Sequence, residues 1–181
     1  TLVDAALALM PAGARILDLG TGTGAIAVTL LGERADATAT ATDLSPAALE
    51  VARFNAVRAG VAPRLRLLTG HWFEPVAGRF DMIVSNPPYI RDNDIEGLAP
   101  DVRNFDPWLA LAGGADGLDP YRAIAFGAAA HLAEGGHILV EMGANQAEAV
   151  ALIFADAGFG VVGRHRDLAG HLRCLALRPG A

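Results

Sequence analysis

Ala14-Arg-Ile-Leu-Asp-Leu-Gly-Thr-Gly-Thr-Gly24 is the stretch that decides the fold. Its first six residues read as a short buried strand, and Ala25 to Glu33 continues as a helix. Three glycines at alternate positions stand at the junction. Glycine lets the chain turn through left-handed conformations and lets a ligand approach the main chain closely. The N-terminus of the following helix favours an anionic group. Doubly wound α/β folds bind their ligands at this kind of strand-to-helix turn. The dinucleotide fingerprint is Gly-x-Gly-x-x-Gly, whereas here the spacing is Gly20-x-Gly22-x-Gly24, so the loop alone leaves a nicotinamide cofactor open. Asp43, at the end of the next strand candidate, is placed to take both hydroxyls of a ribose.

Outward from this loop the pattern repeats. A helix of Ala and Leu over Thr1–Met10 precedes it, stopped by Pro11 and Gly13. The threonine-rich stretch Ala37–Thr42 is a second strand, and Ser45-Pro46 opens a helix to Ala59, with serine as N-cap and proline in the first turn. Arg64–Leu68 and Phe80–Ser85 are the third and fourth strands. Asp119–Ala133 is a helix broken by Gly135-Gly136, and His137–Glu141 is a fifth strand. Gln146–Ala157 is a helix with Val150, Ile153, Phe154 and Ala157 at core spacing. Gly158–Arg166 and Leu172–Arg178 are too close together for a crossover and form a hairpin. Alternating strands and helices predict a mostly parallel sheet covered on both faces, with an antiparallel strand at the end. Tyr89 to about Gly117 breaks the rhythm with Pro100, Pro107, Gly113, Gly114 and Gly117, and is expected to be a lid facing the substrate.

The fourth strand carries the chemistry. Met82-Ile-Val84 runs into Asn86-Pro87-Pro88-Tyr89, and neither proline has an N–H, so the ladder stops there. Residues before proline are held extended. The Asn86 side-chain oxygen and the Pro87 carbonyl can each accept one N–H, and the Tyr89 ring suits a planar group. This is a grip for a planar –NH2. As a bare tetrapeptide it reads equally as a turn closing a strand.

Composition sets the limits. At 181 residues and 52% hydrophobic content the chain buries one core. A net charge of −6 is a poor footprint for a phosphate backbone. All fourteen basic residues are arginines, which removes a P-loop lysine and Schiff-base chemistry. Ser45 and Ser85 lie outside any nucleophile elbow. The lone Cys174 reads as a buried apolar residue, and His131, His137, His165 and His171 lack ligand spacing, so no metal is expected. Glu141 reads as a site neighbour or a structural carboxylate, Asp81 as a strand-start hydrogen bonder, and Arg166 and Asp167 as solvated turn residues. No signal peptide stands at the start and no apolar run spans a bilayer, so the protein is expected in the cytoplasm.

Taken jointly, Asp18-x-Gly-x-Gly-x-Gly24 after strand one, Asp43 after strand two and Asn86-Pro-Pro-Tyr89 after strand four resemble the class I S-adenosylmethionine-dependent methyltransferases, and within them the amino-methylating branch. The resemblance implies a Rossmann-like three-layer α/β sandwich with a seven-stranded, mostly parallel sheet. It implies S-adenosyl-L-methionine as methyl donor and S-adenosyl-L-homocysteine as product. Gly20, Thr21, Gly22, Thr23 and Gly24 would then hold the methionine part and Asp43 the ribose. Trp72, in Gly70-His-Trp72, would wall the adenine, with Asn86 bordering both cofactor and substrate. Asp106-Pro-Trp-Leu-Ala-Leu-Ala-Gly-Gly-Ala-Asp-Gly-Leu-Asp-Pro-Tyr-Arg122 and Glu141-Met-Gly-Ala-Asn-Gln146 narrow this to a similarity with the release factor glutamine N5-methyltransferases. That similarity covers nearly the whole chain. It implies methylation of the Gly-Gly-Gln glutamine in peptide chain release factors, with Asn86, Pro87 and Tyr89 as catalytic residues and Pro88 beside them in the substrate grip. Residues 1–181 are expected to be the single catalytic domain, without the family's N-terminal helical docking domain. His71 and Asp106 depart from the family's pattern, which often has aspartate and glutamate there. Three rival readings are an adenine-N6 nucleic-acid methyltransferase, a non-catalytic cofactor-binding module and a nicotinamide oxidoreductase. Neither stable nucleic-acid binding nor membrane association is expected.

Overall fold

The computed structural model describes residues 1–99 and 107–180. Helix α1 (Leu2–Leu9) opens the chain, followed by β1 (Arg15–Leu19), α2 (Ala25–Glu33), β2 (Thr38–Asp43), α3 (Pro46–Arg58), β3 (Leu65–Thr69) and β4 (Phe80–Ser85). A single-turn helix α4 (Trp108–Leu111) leads to α5 (Asp119–His131), β5 (Leu132–Glu141) and α6 (Ala147–Asp156). A hairpin of β6 (Phe159–Arg166) and β7 (Leu172–Pro179) completes the fold. The strands form one sheet in the order β3-β2-β1-β4-β5-β7-β6. β3 through β5 are parallel, and β7 is antiparallel to both its neighbours.

Side chains alternate between the two faces of each strand. Ile16, Ala39, Ala41, Met82, Val84 and Leu139 pack toward α1, α2 and α3. Leu17, Leu19, Ile83, Ile138, Val140 and Leu175 pack with Tyr121, Ile124 and Ala128 of α5 and Val150 and Phe154 of α6. Strands covered on both faces need apolar residues at nearly every position, which is what β1, β4 and β5 show. β2 reads differently, as Thr-Ala-Thr-Ala-Thr-Asp. Its alanines meet α2 and α3, while Thr38 is exposed and Thr40 half-exposed on the other side. The β3–β4 connection, residues 70–79, contains no helix, so that face of β2 and β3 has no helical layer over it.

Two expectations are corrected. Gly135-Gly136 does not separate helix from strand: α5 stops at His131 and β5 begins at Leu132. Phe80 pairs with Leu132 but Met82 with His137, so the glycines form a bulge inside the strand pairing. Gly135 is left-handed there (φ 74°), and a Cβ on Gly136 would stand 3.0 Å from the Asp81 carbonyl oxygen. The expected irregular lid also carries local structure. A 3₁₀ turn spans Asp92–Gly97, α4 follows, and Ile90 makes a parallel bridge to Ala112. Pro100 and Asp106 lie outside the described residues.

Candidate active site

The glycine loop and the Asn-Pro-Pro-Tyr segment leave neighbouring strands side by side. Leu19 pairs with Ser85 at the carboxyl ends of β1 and β4, and the Ser85 hydroxyl donates to the Leu19 carbonyl at 2.8 Å. Adjacent strands lie roughly 4.8 Å apart, so the two segments share one rim.

The loop is held by its own half of the chain. Asp18 is fully buried, and its Oδ2 accepts from the Thr21 hydroxyl (2.6 Å) and the Ala27 N–H (3.2 Å). Its Oδ1 has no hydrogen-bond partner among the described residues. Burial pushes the Asp18 carboxyl up to about 6, against the opposing pull of the Thr21 and Ala27 hydrogen bonds. Asp43 accepts from the Gly22 N–H on Oδ2 and from the Ser45 N–H on Oδ1, both at 2.8 Å. Asn55 donates to the Thr23 carbonyl at 2.9 Å, and the Thr21 N–H donates to the Thr42 carbonyl at 2.9 Å. Gly24 is left-handed (φ 79°), and a Cβ there would stand 3.0 Å from that of Ala52, so α2 and α3 cross too closely for any other residue. A Cβ on Gly22 would meet nothing within 4 Å. The loop is therefore fixed from below and open on its outer side.

These features fit a nucleoside with an amino-acid tail. Gly24 supplies no side-chain cap and Asp18 takes only the Ala27 N–H, which leaves other first-turn N–H groups of α2 for a carboxylate. The half-buried Asp43 keeps lone pairs for a ribose diol. Trp72 is left-handed (φ 45°) and half-buried, and a Cβ on Gly20 would lie 3.3 Å from its ring. Trp72 therefore stacks at the start of the loop, with His71 edge-on to it at 5.6 Å.

The other half of the rim is assembled from distant parts of the chain. Asn86 is exposed, Pro87 buried, and Pro88 and Tyr89 half-buried, with the Tyr89 ring packed against the core that includes α5 and α6. Past Tyr89, the Ile90 N–H donates to the Leu111 carbonyl (3.0 Å) and the Gly113 N–H to the Ile90 carbonyl (2.8 Å). Gln146 joins the pieces. Its Nε2 donates to the carbonyls of Tyr89 (3.0 Å) and Gly117 (3.1 Å), and its Oε1 accepts from the Gly143 N–H (2.9 Å). Gly117 is left-handed (φ 76°), and a Cβ there would stand 2.6 Å from the Tyr89 carbonyl oxygen. One side-chain amide thus joins the end of the Asn86-Pro-Pro-Tyr89 segment, Gly117 and the turn after β5.

Other polar residues have structural work. Asp81 accepts from the Arg15 N–H at 2.8 Å, as a strand-start hydrogen bonder should. The Glu141 backbone carbonyl accepts from the buried Tyr121 hydroxyl at 2.9 Å, and burial raises the half-buried Glu141 carboxyl above its ordinary range. Cys174 is buried, and burial pushes its thiol up to about 12. Asp167 is more than a solvated turn residue: it accepts from the Ala169 and His171 N–H groups and pairs with Arg173 at 3.1 Å. Arg166 donates to the Gly170 carbonyl in the same turn. Among the described residues no group of three or more His, Cys, Asp or Glu side chains could hold a metal. The role of Gln146 is the one sequence reading missed. Its partners lie 57 and 29 residues away, and only its place at the start of α6 hinted at a capping role.

A seven-stranded sheet in this order, with the glycine loop after β1 and an acid after β2, is the architecture of the class I methyltransferases. The Methyltransferase small domain family model matches residues 3–99, and the chain belongs to that family. Among curated proteins it is 54% identical over 177 residues to the Release factor glutamine methyltransferase of Cereibacter sphaeroides, covering 98% of this chain and 63% of that protein. The chain thus spans less than two thirds of that relative's length. Among solved structures, the ribosomal protein L11 methylase from Lactobacillus delbrueckii subsp. bulgaricus superposes with a TM-score of 0.73 at 19% identity, over 99% of this chain and 76% of that one. An O-methyltransferase from neocarzinostatin biosynthesis, in complex with S-adenosylmethionine, superposes with a TM-score of 0.62 at 18% identity, over 91% and 48%. The two solved structures speak for the fold.

Proposed function

We propose that residues 1–181 form one catalytic unit that methylates the side-chain amide nitrogen of the glutamine in the Gly-Gly-Gln motif of peptide chain release factors, using S-adenosyl-L-methionine. The observation that carries this reading is the adjacency of Asn86-Pro-Pro-Tyr89 to the glycine loop across the β1–β4 pair. The name of the 54%-identical relative supports the substrate. When bound, S-adenosylmethionine supplies an electrophilic methyl group on a sulfonium. Gly20 to Gly24 and the first turn of α2 would hold its amino-acid end, Asp43 its ribose, and Trp72 the adenine. No helix among the described residues is long and apolar enough to cross a membrane. A release factor substrate would place the activity in the cytoplasm.

The chain's own residues solve one chemical difficulty. An amide nitrogen is a poor nucleophile because its lone pair is delocalised into the carbonyl. The Asn86 side-chain oxygen and the Pro87 carbonyl each accept one N–H, fixing both amide hydrogens and turning the remaining lone-pair direction toward the methyl. Such positioning converts a bimolecular encounter into an oriented one and supplies much of the rate. Tyr89 packs on the flat amide and excludes water. The extra proton leaves after transfer, so no strong base is required beforehand.

The test is methyl transfer from labelled S-adenosylmethionine to a purified release factor and to its Gly-Gly-Gln→Gly-Gly-Ala variant. Label confined to the intact motif supports the reading. Label on RNA or DNA adenine instead would favour the nucleic-acid rival. Tight cofactor binding without transfer to any of these, by this chain and by the full-length protein alike, would make it a binding module.

A further inference from the structure

The rim opposite the candidate site holds a second feature, which the methyltransferase reading does not use. A cavity of about 360 Å³ opens at the amino-terminal ends of the strands, under the face of β2 and β3 that has no helical layer. Four of the fourteen arginines line it: Arg15 from β1, Arg64 and Arg66 around the start of β3, and Arg79 before β4. Among the described residues no acidic side chain lines it. In a chain of net charge −6, that concentration of one sign is against the overall composition.

Two of these cations are already fixed in place. Arg64 donates to the carbonyls of Leu31 (2.6 Å), Arg34 (2.9 Å) and Ala37 (2.9 Å). Arg79 donates to those of Ala129 (3.2 Å) and Leu132 (2.7 Å). These bonds cap α2 and α5, which is their structural role. The helix C-termini offset part of each guanidinium's charge, and both remain net positive groups held in place. Of the other two, Arg15 is exposed and ion-paired with Asp81 at 3.7 Å from its Nε, and Arg66 is exposed with no side-chain bond among the described residues. Thr38 and Thr40 line the same cavity and add hydroxyl donors.

We propose that this cavity binds a small oligophosphate, of the size of pyrophosphate or the diphosphate part of a nucleotide. Several guanidinium groups around one concavity repel each other, and a multivalent anion removes that cost. The planar guanidinium fork matches phosphate oxygens two at a time. The volume sits at the small end of the range for ligand pockets, which suits a compact anion rather than a polymer. The site lies at the opposite ends of the strands from Gly22 and Asn86. It stands or falls independently of the methyl-transfer reading.

The test is titration of the protein with pyrophosphate at constant ionic strength, by calorimetry and by amide NMR. Saturable binding that shifts the amide signals of Thr38, Thr40 and Arg66, and not those of Gly22 or Asn86, is expected. Arg15→Gln and Arg66→Gln should each weaken it roughly tenfold, since each removes a charge-assisted contact. Arg53→Gln, on the exposed face of α3, should leave it unchanged. The absence of saturable binding, shifts confined to the glycine loop, or wild-type affinity in both arginine variants would overturn the proposal. Tighter binding of citrate, or of a short RNA, through the same arginines would also overturn it, by giving the cavity to a carboxylate or to a nucleic acid.

Discussion

The two halves of the candidate active site meet on one rim but are built by different means. In the half proposed to hold the cofactor, the glycine loop is fixed by Asp18 to Thr21, Asp43 to Gly22 and Asn55 to Thr23, with Trp72 packed on Gly20. The substrate half is held by Gln146 reaching back 57 residues to Tyr89 and 29 to Gly117, and by Ile90 bonding across to Leu111 and Gly113. The first draws its hydrogen bonds from one consecutive run of strands and helices, β1 to α3, over spans of up to 32 residues. The second exists only once the far side of the sheet has folded. Loss of distant packing should therefore disable substrate handling before cofactor binding.

Substitutions can break that comparison or sharpen it. The largest effect is expected from Asn86→Ala, which removes the acceptor proposed to hold the substrate amide. Methyl transfer should fall at least roughly 100-fold, the cost of losing one positioned polar group at a reacting centre. Cofactor affinity, measured by titration, should stay within about twofold. A parallel loss of cofactor affinity would show that the halves are not separate.

Asp18→Asn probes the other half through pH. The carboxyl sits at about 6 in the fold against an ordinary value of 3.8, so the folded state holds the proton more tightly than the unfolded chain. Stability therefore falls as pH rises from about 4 to about 6, and the cost of burying the charge is complete above that range. A gap of roughly two pH units is worth about 3 kcal/mol. An asparagine oxygen can still accept from Thr21 and Ala27, and the amide carries no charge. Urea unfolding of both proteins between pH 4 and 7 should show the variant gaining stability over the wild type as pH rises, because only the wild type bears this cost. Equal slopes would mean that Asp18 does not bear this cost.

Gln146→Ala should act on the substrate half from a distance. Three hydrogen bonds are lost, and the half-buried carbonyls recover part of that from water, leaving about 2 kcal/mol. The kcat/KM for the release factor should drop roughly 10- to 30-fold with cofactor affinity unchanged. An unaltered kcat/KM would mean that the grip holds its shape without the clamp. The smallest effect is expected from Ser45→Ala. The serine oxygen accepts from the Ala48 N–H at 3.2 Å, and losing this N-cap should cost about 1 kcal/mol in thermal unfolding without changing turnover.

Much of this was legible before any coordinates. The glycine loop, Asp43 and Asn86-Pro-Pro-Tyr89 sit at strand ends that hydrophobic runs and turn residues mark clearly. The proline that forbids a ladder and the glycine that permits a left-handed turn are visible in the letters themselves. Gly135-Gly136 is ambiguous in the sequence, because two glycines signal a break equally well as a bulge. Register against β4, with Phe80 opposite Leu132 and Met82 opposite His137, settles which it is.

The sequence by itself determined the alternation of elements, the parallel sheet, and the local half of the site. Those follow from patterns within each element and from the order of consecutive elements, where propensity and spacing act directly. Only the tertiary structure decided that Gln146 holds Tyr89 and Gly117, that Asp18 is buried with one oxygen unpaired, and that four arginines from separate elements line one cavity. Each of these depends on which strands become neighbours and which faces are covered. Neighbourhood across a sheet is set by the packing of the whole core, which no single stretch of sequence contains.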